Sequence, residues 1–368
     1  MHLTRRHALG ALGALTLAGL APDVARADGF AGVIGAAIDA AGGFRVGAID
    51  GALGEAEGAP APVRLHALCP RPDGREAVAV ARRPGDLALV LDGRATRVRA
   101  VFRATEGRRF SGHGVYRDGG RLFLTTEIDA GTGEGVIVAR DVAGGYAAAS
   151  EFRSSGVGPH ELVAAGRLIA VANGAKEPKS DPGVAALETT RTRSNLVMLD
   201  PGGGAVDRTA ELDDDLASLS LRHLATTPDG GVLVAAQDTE AGVRDRPLVA
   251  RLDGARLKWL DEDLAVTSRF AGYVGSLAVD RSGRFAAASS PKGGVVAAFD
   301  LADDAALGVV AIADVCGLAV DAEAGRFIAT TGLGEVLRLA VHEGGVAVIE
   351  RRSGPLRWDN HLASLPPA

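Results

Sequence analysis

Arg222-His223-Leu224-Ala225, then Pro228-Asp229-Gly230, then Val232-Leu233-Val234: an apolar stretch opened by a polar residue, a tight polar turn, and a second apolar stretch. The phrase returns along the chain. Leu65-His66-Ala67-Leu68 leads through Pro72-Asp73-Gly74 to Ala77-Val78-Ala79-Val80. Gly112-His113-Gly114-Val115 and Pro159-His160-Glu161-Leu162 open two further copies. Gly275-Ser276-Leu277-Ala278 and Cys316-Gly317-Leu318-Ala319 carry the same phrase without histidine, and Asn360-His361-Leu362-Ala363 carries it at the C-terminus. The anchors fall at 66, 113, 160, 223, 276, 317 and 361, spaced 41 to 63 residues apart. A period of this size filled with short strands is the signature of propeller blades.

Each unit continues with further apolar runs bounded by Gly, Asp and Pro, such as Leu87–Asp92, Leu196–Asp200 and Val295–Asp300. These are strand signals, and no long segment of helical period interrupts them. The last anchor, His361, starts a strand whose blade lacks its other three. Spare strands precede the first anchor at Gly32–Ile38, Phe44–Asp50 and roughly Ala61–Leu65. Pairing the C-terminal strand with these closes the ring and removes exposed edges. The sequence therefore predicts an all-β, seven-bladed β-propeller over residues 28–368, with six or eight blades as the neighbouring counts. The polar, Pro/Gly-rich stretch from Gly174 to Ser194 reads as a long loop of the third unit.

Composition fits one closed ring better than several domains. The 368 residues are 47% hydrophobic, enough for a large core, and 50 Gly supply many turns. Two Cys exclude a disulfide scaffold or a multi-cysteine metal site. A net charge of −6 with scattered basic residues excludes a nucleic-acid binder. The N-terminus reads as an address. Arg5-Arg6 precede a modestly apolar run from Ala8 to Ala21, then Ala25-Arg26-Ala27. This predicts a twin-arginine signal peptide over 1–27 and a periplasmic mature chain. The apolar run falls short of the ~20 residues a membrane span needs. The mature chain is expected to have no membrane span and to be a monomer.

Six histidines follow the signal, and five of them, His66, His113, His160, His223 and His361, share one repeat position. That position opens the innermost strand of a blade, at one mouth of the central channel. The five lie on adjacent blades across the closure, so their imidazoles can converge on one ion. Neutral imidazole suits Zn, Cu, Fe or Ni. Hydrogen bonding within each blade is the competing explanation of the column. Glu161, Arg222 and Asp359 flank it as candidate orienting groups, and Trp358 as a candidate cap over a ligand. Cys316 is a possible soft ligand, with burial as a small hydrophobe the plainer reading. Arg82-Arg83-Pro84-Gly85-Asp86 reads as an ordinary turn after a blade's second strand. No G-x-S-x-G elbow, H-E-x-x-H or P-loop is present.

Phe110-Ser111-Gly112-His113-Gly114, Val157-Gly158-Pro159-His160-Glu161-Leu162, Gly272-Tyr273-Val274-Gly275-Ser276 and Trp358-Asp359-Asn360-His361-Leu362 resemble the bacterial exported family named domain of unknown function 1513. The resemblance covers nearly the whole chain. It implies a propeller-like fold, a twin-arginine signal, and genes beside imelysin-type and di-haem peroxidase-like proteins, hence periplasmic iron handling. It brings no activity with it. The resulting expectation is a transition-metal binder, for iron or copper, acting in metal uptake or hand-over through the histidine ring. The alternatives are a non-catalytic scaffold for a periplasmic iron-uptake or redox partner, and a metal-dependent hydrolase or oxidoreductase. The enzyme ranks last, because no nucleophile or acid–base pair is recognisable.

Overall fold

Seven four-stranded antiparallel sheets stand in a ring in the computed structural model. It describes residues 32–175, 193–238, 240, 245–261 and 264–366. The predicted signal over 1–27 and residues 176–192 of the predicted third-unit loop lie outside the described residues. The innermost strands are Leu65–Pro70, Arg108–Arg117, Pro159–Ala165, Leu219–Thr226, Ser276–Val279, Val315–Val320 and Arg357–Ser364. We number the blades 1 to 7 in that order. Each innermost strand touches the next around the ring. Among the described residues no helix is long and apolar enough to cross a membrane.

The middle strands of each blade are clamped between neighbouring sheets. They read as continuous apolar runs because both faces are covered. Leu87–Asp92 and Val295–Asp300 are buried at every position. The outermost strands face solvent: Val98–Arg103 and Val206–Glu211 are mostly exposed. Turns are set by aspartates that accept backbone N–H groups a few residues on. Asp92 Oδ1 accepts from Thr96 N at 2.8 Å, Asp300 Oδ1 from Ala302 N at 2.9 Å, and Asp200 Oδ1 from Gly202 N at 2.9 Å.

The ring closes as expected. Arg357–Ser364 pairs antiparallel with Val33–Ile38, and that sheet continues through Phe44–Ile49 to Glu55–Pro60. The last of these corrects the third spare strand, expected near Ala61–Leu65. Asp50 Oδ1 accepts from Ala52 N at 2.8 Å and Gly54 N at 2.7 Å, so the chain turns tightly and the strand restarts at Glu55. As an outermost strand it is half exposed and holds only Glu, Ala, Gly and Pro, with no large apolar residue, so it carries no apolar signal. Leu65 instead begins blade 1.

Candidate metal centre

The five aligned histidines meet. The ring centroid of His66 lies 4.8 Å from His113 and 4.6 Å from His361. His113 lies 4.9 Å from His160 and 4.8 Å from His361. His223 lies 5.0 Å from His160 and 4.7 Å from His361. Such convergence needs the side chains to point along the channel rather than across the sheet. The backbone supplies this through register shifts in the innermost strands. Pairing skips between Leu65 and Leu68 around His66, between Phe110 and Gly114 around His113, and between Pro159 and Glu161 around His160. In blade 4 the skip at Arg222 directly precedes His223. In blade 7 it spans Asp359 to His361, where His361 has φ +70°. A bulge bends the strand and re-aims its side chains. Blade 5, whose anchor is Ser276, pairs from that residue without a skip.

Two glycines make room for the cluster. A Cβ on Gly112, at φ +104°, would sit 2.6 Å from Cδ2 of His66. A Cβ on Gly317, the anchor of blade 6, would sit 2.8 Å from Leu362 and 3.3 Å from the carbonyl carbon of His361. The histidine-free anchor of blade 6 is thus filled by the chain of its neighbour.

Burial keeps the rings neutral. His113 and His223 are brought down to about 3, in both cases mainly by desolvation, with the Arg222 guanidinium adding to the shift at His223. His66, His160 and His361 lie well below the usual imidazole range for the same reason, with neighbouring rings and arginines adding to it. Neutral imidazole is the metal-binding form. The ring nitrogens are under-used: Nε2 of His113, His160, His223 and His361, and Nδ1 of His66 and His223, are buried with no hydrogen-bond partner among the described residues. Leaving buried polar atoms unsatisfied costs about 1–3 kcal/mol each.

Glu161 sorts these nitrogens. Its two oxygens lie 3.6 Å from Nδ1 of His113 and 3.4 Å from Nδ1 of His223, while Leu224 N–H donates to it at 3.1 Å. Burial pushes its carboxyl above the usual range, with His113 pulling the other way. A carboxylate facing Nδ1 at these distances makes no hydrogen bond to either ring, but its charge favours the tautomer protonated there and leaves the Nε2 lone pair for a metal. Arg222 does the opposite to His160. Its Nη1 lies 3.4 Å from His160 Nδ1 and can only donate, which places the imidazole proton on Nε2. Two overlapping groups hold ligand atoms within 4.8 Å of one another: His66–His113–His160 and His113–His223–His361. A metal about 2.1 Å from each nitrogen holds them roughly 3.3 to 4.2 Å apart, so small ring rotations close either set. The second group carries the better tautomers.

The other flanking residues go elsewhere. Asp359 binds Arg64 at 2.5 Å and Arg82 at 3.1 Å rather than an imidazole. Trp358, expected as a cap, points into the core beside Val33, Ile49 and Leu356, and its indole N–H donates to Glu55 at 2.9 Å. Cys316 joins neither histidine group, and its thiol lies 3.2 Å from the Asp314 carbonyl. Cys69 and Cys316 are free thiols, each pushed up to about 12 mainly by burial.

A cavity of about 330 Å³ opens above the rings. His66, His160 and His223 form part of its lining, and Arg82, Arg83, Ser111, Tyr273 and Asn360 complete much of the rest. In sequence, Arg82 and Arg83 look like part of an ordinary turn. The available signal was topological, since the turn after a blade's second strand lies at the same mouth as the start of its first.

A seven-bladed propeller gathering a buried imidazole cluster at one channel mouth is the class these features define. The family described as "Protein of unknown function (DUF1513)" matches residues 59–365, and the chain belongs to that family. Among solved structures, the chain is similar to the β-propeller domain of Myceliophteria thermophila Cps50 (Swd1), at TM-score 0.55 and 12% identity, covering 82% of this chain and 90% of that one. At this identity the likeness shows the fold alone. No curated protein matches the chain.

Proposed function

We propose that this protein is an exported propeller that binds a transition metal, iron or copper, through its histidine cluster and serves metal uptake or hand-over in the periplasm. His113, His223 and His361 are the principal ligands in this reading, with His66 beside them and His160 held back by Arg222. The carrying observation is the convergence of five imidazoles, three buried and two half-buried, with Nε2 of four lacking partners among the described residues. The Arg5-Arg6 leader supports export. The test is metal analysis and calorimetric titration of the purified protein with Cu²⁺, Zn²⁺ and Fe²⁺ in a weakly coordinating buffer. Tight one-to-one binding is expected. His113→Ala, which removes a member of both groups, abolishes it, and His160→Ala weakens it least. Absence of binding in the folded wild type overturns the reading.

The second reading is a non-catalytic scaffold for a periplasmic iron-uptake or redox partner, which the propeller fold supports. There the histidines only stabilise the channel mouth. His113→Ala would then lower the melting temperature while leaving partner capture intact.

A further inference from the structure

The five imidazoles make two candidate ligand sets that share one member. His66–His113–His160 and His113–His223–His361 each bring their ligand atoms within 4.8 Å of one another. The sets open differently. Two members of the first, His66 and His160, line the cavity of about 330 Å³ at the channel mouth, against His223 alone of the second. Each set has one half-buried member, His160 in the first and His361 in the second. His160 gives onto the cavity, whereas His361 begins a half-buried run, His361–Ser364, along the innermost strand of blade 7. The sets also differ in strength. In the first, the lone pair of His160 is on Nδ1, where Arg222 Nη1 approaches to 3.4 Å, and a metal binding there must displace that contact. In the second, Glu161 faces Nδ1 of both His113 and His223 and steers their Nε2 lone pairs to the metal. With its Nδ1 turned to Glu161, His113 has one nitrogen to offer and can hold one ion at a time.

Resting on the metal reading above, we propose that the cluster is a two-position relay for a single ion. The ion is captured from the cavity by His66, His113 and His160, then moves to His113, His223 and His361 and is retained there. His113 stays bound throughout. Metal–nitrogen bonds to His66 and His160 break as those to His223 and His361 form. No electron moves, and Arg222 regains His160 when the ion leaves it. The shift is short, because each incoming ring stands beside one that it replaces. The centroid of His361 lies 4.6 Å from that of His66, and the centroid of His223 lies 5.0 Å from that of His160. Ligands can therefore exchange one at a time, and the ion is never left bare. Glu161 and Arg222 give the relay its direction, since they make the second position the tighter. Hand-over needs this division: an accessible, weaker position for capture and a tighter one for retention.

The experiment mixes the folded protein with Cu²⁺ in a weakly coordinating buffer. Stopped-flow absorbance follows the rate of loading, and rapid-freeze electron paramagnetic resonance follows the coordination. Wild type is expected to bind one copper and to show an early spectrum that gives way to a final one. His361→Ala keeps only the first position, so it should hold the early spectrum at equilibrium and lose its copper on desalting. His66→Ala combined with His160→Ala keeps only the second position. It should show the final spectrum and near-wild-type affinity. Its loading should be slower by about tenfold or more, within the roughly one to three decades over which association rates vary among variants of one site. A purely structural role for His66 and His160 would lower the melting temperature and leave the loading rate unchanged. His361→Asn, and His66→Asn with His160→Asn, serve where an alanine variant fails to melt cooperatively. If wild type shows a single spectrum from the first time point and the double variant loads at the wild-type rate, the relay is overturned and the metal reading stands. Two coppers per chain also overturn it, since His113 would then not be shared. If folded wild type binds no copper, the metal reading itself falls.

Discussion

At the scale of single residues, burying the histidine cluster costs stability, and the cost has a pH signature. Histidine takes a proton in the unfolded chain near 6.5, whereas His113 and His223 hold out to about 3 when folded. Below 6.5 the unfolded state therefore binds more protons than the folded one. Stability falls as pH drops through that window and is complete above it. His66, His160 and His361 shift in the same direction and deepen the effect. Metal-free protein is expected to lose melting temperature steadily from pH 7 to pH 4. Replacing His113 and His223 together by Asn should flatten that profile, and an equally steep one would count against the assignment. Glu161→Gln tests orientation rather than ligation. It removes the charge that steers two imidazole tautomers, and loss of an outer-shell partner typically weakens metal binding about ten- to hundredfold. An unchanged affinity would show that Glu161 serves only Leu224 N–H.

At the scale of the strand, the decisive device is the bulge. Repeat spacing alone brings the five histidines to one mouth, and that much was legible. The direction of their side chains was not, because a bulge leaves the apolar pattern of a strand almost unchanged. Only the glycines hint at it. Gly112 beside His113 holds φ +104° and lies against the ring of His66. Gly112→Ala should strain the backbone by about 1–3 kcal/mol and displace His66. The expected outcome is a modest drop in melting temperature. His66 belongs to only one of the two ligand groups, so metal affinity should fall less than in His113→Ala. A loss equal to that of His113→Ala would make the His66 side of the cluster the principal one. The arginine rim was illegible for a related reason. Arg82-Arg83-Pro84 has the composition of any surface turn, and only the ring topology places it over the rings. Trp358 shows the converse error. Nearness in sequence to His361 suggested a cap, but the strand turns its indole into the core beside Glu55.

At the scale of the molecule, one strand joins ring closure to the histidine cluster. Arg357–Ser364 completes blade 7, buries Trp358, and delivers His361 to the cluster. The arithmetic of the repeats showed this closure from sequence, because the last unit ended after one strand and the chain began with strands to spare. A ring depends on that strand more than an open array would, since its loss exposes edges on both sides of the gap. Removing residues 357–368 leaves Val33–Ile38 without its inner partner and opens the packing of blade 6 against blade 7. Loss of a buried Trp side chain alone costs about 3–5 kcal/mol, a large share of the 5–15 kcal/mol by which domains are stable. The truncated chain is expected to aggregate or elute expanded on size exclusion. His361→Ala keeps the strand and its pairing, so it should elute as wild type and melt cooperatively while losing metal. A truncated chain that stays compact would mean the other six blades hold the ring without velcro at blade 7. A His361→Ala variant that unfolds would mean the imidazole is structural, and both results are read from the same elution and melting curves.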